Sequence, residues 1–282
     1  MDITPNFRRT LNALEERYIQ YKKDNMLYDF TDYPRYLYDM LQAFDERISD
    51  IQGLFVDEFQ DVDPIQLEIF NLVDADKKFY IGDPWQSIYQ FRNADGAVFE
   101  KLPTFEVVKL KDNYRSHQEI IDYAVTVYDT LKDKAAAEIE CCISDVESIN
   151  PASIKCRRGA GGQIAVVNPF GGVTSANLDT LVRDNYAPIG KLFDYIMSCR
   201  PMILCRLNKQ ASWIKSLGYP NADTIHSAKG LEYPNVLVLD TPILGLEDLN
   251  VAYVALTRAR DKLFVINWQQ FESLFTLYMN KL

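Results

Sequence analysis

Cysteine is sparse and carries no framework in this 282-residue chain: there are five, an odd number, with no Cys-x-x-Cys pair. The adjacent Cys141 and Cys142 are badly placed to bridge each other, so the thiols are expected to be reduced. A zinc cluster of Cys141, Cys142 and Cys156 lacks both the usual spacing and a fourth ligand. Long apolar runs are also missing. The segment Asn235-Val-Leu-Val-Leu-Asp240 is typical, and no window approaches the roughly 18 apolar residues that a membrane span needs. The first residues, Met1-Asp-Ile-Thr-Pro-Asn-Phe-Arg-Arg9, contain no apolar segment of the secretory kind. A cytoplasmic protein without membrane contact is expected. Repeats and low-complexity tracts are absent.

What is present is ordinary globular composition, 48% hydrophobic and 25% charged, on a chain long enough for two cores. The net charge of -10 argues against coating nucleic acid by bulk electrostatics, while leaving room for a local basic track. The charge is unevenly placed. Residues 1–110 hold 12 Lys and Arg against 21 Asp and Glu, whereas residues 111–282 hold 18 against 19. This asymmetry sets an expected boundary near Leu110.

Residues 6–49 read as a helical lead-in, with Leu11, Leu14, Tyr18 and Tyr21 at helical spacing and Pro34 early in a second segment. Short apolar strands then end in polar residues: Leu54–Val56 into Asp57-Glu58, and Phe79–Ile81 into Gly82-Asp83. Ligands sit at the carboxyl ends of strands in open α/β sheets, which makes these tails candidate site residues. A third strand is expected at Glu106–Leu110, leading through Asn113-Tyr-Arg-Ser116 into a helix. Loops at 157–162 and at Gly171-Gly172 flank a strand at Gln163–Val167. Beyond them alternate a helix at Leu178–Ser198, a strand at Met202–Cys205, a helix at Lys209–Leu217, a strand at Val236–Leu239, a helix around Leu249–Arg260, a strand at Leu263–Ile266 and a helix from Phe271. Such alternation predicts an α/β fold with parallel sheets covered on both faces.

Several residues carry chemistry. Asp57-Glu58 after a strand is the pairing that nucleotide hydrolysis needs, one carboxylate for magnesium and one for water, although acidic pairs also make ordinary solvated turns. The run Gly82-Asp-Pro-Trp-Gln-Ser-Ile-Tyr-Gln-Phe-Arg92 mixes aromatics with arginine, as a single-strand stacking platform does; its alternative reading places Trp85, Tyr89 and Phe91 in a core. Arg115 and Arg258 flank helices, where arginine serves either as a phosphate finger or in a surface ion pair. His226 serves as a ligand contact or as a satisfied core imidazole.

Taken together and in order, the blocks resemble the UvrD/Rep-like superfamily 1 DNA helicases. The blocks are Val56-Asp-Glu-Phe-Gln-Asp61, Gly82-Asp-Pro-Trp-Gln-Ser-Ile-Tyr89, Asn113-Tyr-Arg-Ser116, Thr224-Ile-His-Ser-Ala-Lys-Gly-Leu-Glu232 and Ala252-Tyr-Val-Ala-Leu-Thr-Arg-Ala-Arg260. Leu27-Tyr-Asp-Phe-Thr-Asp32 and Met202-Ile-Leu-Cys-Arg-Leu-Asn208 are weaker likenesses. The resemblance implies RecA-like motor domains of the phosphate-loop NTPase type: an incomplete first domain with a helical lead-in over 1–110, and a second over 111–282. It implies ATP and Mg2+ as cofactors, with Asp57 holding the metal and Glu58 acting as base. Gln86 would sense the γ-phosphate, Arg115 and Arg258 would reach it, and Gly230 and Glu232 would lie beside the nucleotide. Tyr89, Phe91, Arg92 and His226 would face single-stranded DNA, travelled 3′ to 5′. Roles in replication or repair follow from the same resemblance.

The family's phosphate loop, Gly-x-x-x-x-Gly-Lys-Ser/Thr, is not found here. The lone Gly190-Lys191 precedes Leu192 and reads as helix. Without the strand and helix of that loop, the first sheet would expose apolar edges that something should cover. The 108 positions from Ser116 to Thr224 leave room for only a reduced insertion. Phe91 stands where the family usually has tryptophan, and Asn93 stands for glycine. Two functions follow. One is a helicase or translocase whose phosphate loop comes from another polypeptide or a missing N-terminal segment. The other is a non-hydrolysing helicase-derived module that binds DNA or a partner.

Overall fold

The computed structural model of the chain describes residues 4–89, 98–102, 104–138, 155–166, 189–240 and 246–281. Their contacts divide between Gly82 and Asp83 into two compact units. The division falls earlier than the compositional boundary near Leu110, because Trp85 and Ile88 are buried within the hydrophobic core of the second unit.

The first unit opens with helices α1 (Pro5–Asp24) and α2 (Asp32–Ala43). Thr4 caps α1 by accepting from the Phe7 amide, and Pro5 opens its first turn. The two helices are tied at their junction by Lys22, whose ammonium lies 2.8 Å from Asp29 and 2.7 Å from Asp32. Strand β1 (Ile48–Val56) then pairs in parallel with β2 (Val73–Tyr80), with Phe55 opposite Phe79 and Val56 opposite Tyr80. Helix α3 (Pro64–Asn71) crosses between them. A capping box fixes its start: Asp63 accepts from Ile65 and Gln66, and the Gln66 side chain accepts from the Asp63 amide. Leu67 and Ile69 of α3 are buried. The rings of Phe55 and Phe79 stack on each other at 4.7 Å yet remain 67% and 44% exposed. These two rings leave apolar surface open on one face of the pair of strands.

The second unit is a layered α/β structure. Helix α4 (Gln118–Glu138) lies in sequence between the two strands of a short parallel ladder, β3 (Asp112–Asn113) and β4 (Lys155–Cys156). The main sheet is built from β5 (Gln163–Val166), β6 (Met202–Cys205), β7 (Ala222–Thr224), β8 (Tyr233–Asp240) and β9 (Ala259–Asn267), in the order β5-β9-β8-β6-β7 with every pairing parallel. Helices α5 (Ile189–Ser198), α6 (Asn208–Ser216), α7 (Leu246–Leu256) and α8 (Trp268–Met279) alternate with the strands. Successive side chains on a strand point to opposite faces, and the two cores sort accordingly. Val236, Val238, Leu263 and Val265 join residues of α4 and α7, such as Ile120, Ala124 and Ala252. Leu237, Leu239, Phe264 and Ile266 join Phe193, Ile214, Phe271 and Phe275 of α5, α6 and α8. This is the two-faced burial that parallel strands require.

Two local expectations are corrected. No strand forms at Glu106–Leu110: Val107, Val108 and Leu110 are 76%, 74% and 87% exposed, and the stretch pairs with no strand among the described residues. The helix expected around Leu249–Arg260 stops at Leu256, because Thr257 and Arg258 turn their side chains back onto its last carbonyls. The short strand β7 was not anticipated. Gly190-Lys191 does lie in a helix, as expected. Cys156 and Cys205 are buried free thiols, and burial pushes each up to about 11. Cys141, Cys142 and Gly171-Gly172 lie outside the described residues, as do residues 178–188 of the expected helix. Among the described residues no helix is long and apolar enough to cross a membrane.

Candidate functional site

In the first unit, β1 delivers Asp57 and Glu58 at its carboxyl end, where both are exposed. The turn is closed by backbone: the Ile81 amide donates to Val56 and the Phe59 amide donates to Ile81, each at 2.8 Å. Asp57 Oδ1 accepts from the Glu58 amide at 2.8 Å. Glu58 itself sits at φ 50° and ψ 40°, the left-handed region, where a residue with a Cβ carries about 1 kcal/mol or more of strain. The fully buried Gln60 donates from Nε2 to Glu58 Oε2 and so fixes the carboxylate. Gln60 belongs to the acidic block in the sequence, yet only its burial reveals its role.

In the second unit the remaining candidates converge. Asp83 starts a single 3-10 turn by accepting from the Trp85 amide at 3.0 Å, and its other oxygen accepts from Gln86 Nε2 at 2.8 Å. Trp85 is core: it stacks on Tyr128 at 4.4 Å and meets Tyr253 edge-on at 5.2 Å. The turn is anchored by Asn250, which donates to Ser87 O at 2.8 Å. Gln86 is thereby held with its amide oxygen accepting from Arg258 Nη2 at 3.3 Å, and its backbone carbonyl accepting from Lys229 Nζ at 2.8 Å.

Arg258 is fully buried. It also donates from Nε to Val254 O at 2.9 Å, from Nη1 to Leu231 O at 3.1 Å and from Nη2 to Thr257 Oγ1 at 3.2 Å. Arg115 reaches the same segment from outside: its Nε donates to Glu232 Oε2 at 3.0 Å, with a third of the side chain exposed. Asn113 sets the Arg115 turn by accepting from the Arg115 and Ser116 amides, and Ser116 Oγ donates to Ala259 O at 2.6 Å. Arg260 adds a second donor to Glu232 at 3.4 Å. Gly230 adopts φ +78°, with nothing within 4 Å of where a Cβ would stand. Gln86, Arg115, Gly230, Glu232 and Arg258 thus share one neighbourhood.

Two residues there escaped sequence reasoning. Lys229, inside the histidine block, holds Gln86 and lies 4.9 Å from the centre of the Tyr89 ring. Arg158 staples two arginine-bearing segments, donating to Arg115 O at 3.1 Å, Arg260 O at 3.2 Å and Asp261 at 2.6 Å. The signal for Arg158 was only a Gly-rich loop. Tyr89 donates to His226 O at 3.3 Å, and the two rings are 6.1 Å apart. Phe91 and Arg92 lie outside the described residues. Electrostatics reinforce the buried aromatic wall: burial, with Asp83 and Asp129 nearby, pushes Tyr128 up to about 12, and Tyr253 is raised by burial next to Asp83.

The donor set fits a nucleotide in part. Asp57 offers hard carboxylate oxygen of the kind Mg2+ takes, and Arg115 is partly exposed as a phosphate contact must be. The donors of Arg258 are engaged by protein oxygens.

Comparison with known proteins gives two family matches. Residues 2–105 match the UvrD/REP helicase N-terminal domain, and residues 221–266 match the UvrD-like helicase C-terminal domain. An ATP-dependent helicase/nuclease subunit of Streptococcus pneumoniae (strain Hungary19A-6) is 30% identical over 150 residues, covering 49% of this chain and 12% of that protein. The same-named protein of Streptococcus uberis is 33% identical over 138 residues, 44% of this chain and 11% of its own. The chain therefore spans about an eighth of the length of these curated relatives. Among solved structures, the Arterivirus nonstructural protein 10 helicase aligns with a TM-score of 0.43 at 15% identity, over 78% of this chain and 40% of that one. The PRRSV helicase aligns with a TM-score of 0.43 at 16% identity, over 85% and 47%.

Proposed function

This chain belongs to the UvrD/Rep-like superfamily 1 helicases, and from that premise we propose that it is part of an ATP-driven translocase on single-stranded DNA, moving 3′ to 5′, whose phosphate loop is supplied by another polypeptide or by an N-terminal segment outside this sequence. The observation that carries the reading is the gathering of Gln86, Arg115 and Arg258 around the Gly230–Glu232 segment. When bound, ATP with Mg2+ supplies the phosphoanhydride whose hydrolysis drives movement. Within the first unit, Asp57 would hold the metal, and Glu58, oriented by Gln60, would accept a proton from the attacking water. Within the second unit, Arg115 and Arg258 carry the cationic charge. Arg115 neutralises the γ-phosphate from its partly exposed position, an effect worth about 10³–10⁵ in rate for arginine fingers. Engagement of Arg258 requires it to exchange Gln86 for phosphate.

That exchange gives Gln86 its consequence. The chain of contacts Arg258 to Gln86, Gln86 to Lys229, Lys229 to Tyr89 and Tyr89 to His226 is contiguous within one unit. A change of partner at Arg258 is felt at the residues proposed to face DNA, through physical contact. Tyr89 and His226 supply ring faces and a polar edge for bases, and Lys229 supplies charge. The exposed Phe55–Phe79 pair supports a covering element, from another polypeptide or from a segment outside this sequence, since parallel strands are normally covered on both faces.

The full occupancy of Arg258 favours a second reading, a DNA- or partner-binding module without hydrolysis. Labelled oligothymidine binding, measured by anisotropy on the complex formed with a phosphate-loop polypeptide, separates the two. The translocase predicts an affinity that changes with a non-hydrolysable ATP analogue, and weakened binding in Tyr89→Ala. Affinity indifferent to nucleotide supports the module, and undiminished binding in Tyr89→Ala removes the DNA face.

A further inference from the structure

The loop between β4 and β5 sends one side chain into the arginine site. Arg158 donates from Nη1 to the carbonyls of Arg115 at 3.1 Å and Arg260 at 3.2 Å, residues 43 and 102 positions away. Its Nη2 donates to Asp261 Oδ1 at 2.6 Å, and His117 Nε2 lies 3.6 Å from the same oxygen. A guanidinium presents its N–H groups in a fixed plane, so the three acceptors are held in one mutual arrangement. The Arg158 side chain is about a third exposed, and its pair with Asp261 therefore contributes little to overall stability. What it fixes is local geometry. Neither Arg158 nor Asp261 lies in the motif blocks that carry the family resemblance.

The two carbonyls belong to the two residues that grip Glu232. Arg115 Nε donates to Oε2 at 3.0 Å, and Arg260 Nη1 donates to Oε1 at 3.4 Å. Neighbouring bonds join the same segments beside them: Ser116 Oγ donates to Ala259 O at 2.6 Å, and the His117 amide donates to Arg260 O at 3.3 Å. The Arg115 carbonyl receives Arg158, which sets the point from which the Arg115 side chain extends. Having one arginine on each carboxylate oxygen has a further effect. When Arg115 leaves Glu232 for a phosphate, Arg260 still pairs with that carboxylate, so the exchange strands no charge.

We propose that Arg158, fixed by Asp261, is a positioning residue for Arg115: it holds the Arg115 backbone in register with Arg260, so that the Arg115 guanidinium moves from Glu232 to the γ-phosphate along a set path. The functional half rests on the reading of Arg115 as a phosphate contact, and the structural half does not. The first arm of the test uses the full chain without nucleotide. Hydrogen exchange at the Arg115 Nε–H, assigned by its loss in Arg115→Lys, is followed by NMR on 15N-labelled protein. Arg158→Ala and Asp261→Asn are each expected to speed it about fivefold or more, whereas Arg157→Ala, whose guanidinium pairs with Asp112 instead, is expected to leave it unchanged. Tryptophan fluorescence melts choose a temperature at which every variant is folded, and Asp261→Asn decides this arm if Arg158→Ala does not fold. Unchanged exchange in either folded variant, or an equal rise in Arg157→Ala, would overturn the proposal. The second arm is steady-state ATP hydrolysis with the phosphate loop present, on another polypeptide or on the longer chain. Arg158→Ala is expected to lower kcat by about tenfold to a hundredfold with KM little changed, and to add nothing on top of Arg115→Ala. An undiminished kcat, or losses that multiply in the double variant, would overturn the positioning role. Full activity in Arg115→Ala would instead refute the nucleotide reading, a failure told apart because the exchange result is obtained without nucleotide.

Discussion

Arg258 and Arg115 carry the same proposed task, yet they should differ sharply when each is truncated to alanine. The Arg258 guanidinium is fully buried and serves four acceptors. After truncation, Val254 O still receives Thr257 Oγ1, but the Leu231 carbonyl and the Gln86 amide oxygen lose these donors. Hydrogen bonds from a charged donor contribute about 1.5–3 kcal/mol each, so two lost bonds cost about 3–6 kcal/mol. Relief of the desolvation of a buried charge offsets part of this. A net loss of about 3 kcal/mol remains, equivalent to about 6–12 °C in melting temperature for a domain of this size class. Arg115 is a third exposed, and its ion-pair partner Glu232 is 43% exposed. Solvent screening holds such a pair to about 0–1 kcal/mol, or at most about 4 °C. The assay is thermal and urea unfolding followed by tryptophan fluorescence, which reports the second unit because Trp85, Trp213 and Trp268 all lie in it. Melting of Arg258→Ala within about 2 °C of the parent, or an equal drop in Arg115→Ala, would refute the assignment of Arg258 as a structural cap as well as a functional cation.

Three further outcomes are expected. Gly230→Ala should lower stability by about 1–2 kcal/mol through its left-handed backbone alone, since there is open space around the new methyl; Gly230→Asn should cost less, and a silent alanine variant in urea melts contradicts this. Tyr128 has its folded pKa raised, so its contribution is complete below the unfolded value of about 10 and is lost as pH rises through about 12; Tyr128→Phe should remove that part of the alkaline transition, read by absorbance at 295 nm. Asp29 and Asp32 are depressed chiefly by hydrogen bonds from Lys22, so the contribution of the tie between α1 and α2 is complete above the ordinary carboxylate value of about 4 and is lost as pH falls from there through their lowered folded values. Amide exchange over residues 18–32 should rise on acidification in the parent and already be raised at pH 7 in Lys22→Met; equal exchange in the two at pH 7 counts against the tie.

How much of this was legible beforehand depends on where the information resides. The second sheet was readable because its strands are uninterrupted apolar runs, such as Met202–Cys205, that a buried parallel sheet demands. Glu106–Leu110 misled for the same reason: β-branched residues suit a strand, but among the described residues this stretch joins no sheet. The end of α7 was missed because its terminator is a pair of side chains, Thr257 and Arg258, and not a glycine or proline. At the site, the motif residues were identifiable by wording. Gln60, Lys229 and Arg158 became visible only through what they touch, since nothing in their spacing distinguishes them from solvated polar residues. Helix α1 was readable from its spacing, but that it buries no residue was not.

The most direct measurement is steady-state ATP hydrolysis by this chain in complex with a polypeptide carrying Gly-x-x-x-x-Gly-Lys-Ser/Thr, with and without single-stranded DNA, comparing the parent with Glu58→Gln. The account predicts DNA-stimulated hydrolysis that the substitution reduces by about 10² or more, with DNA binding retained. Equal rates in parent and variant would contradict it.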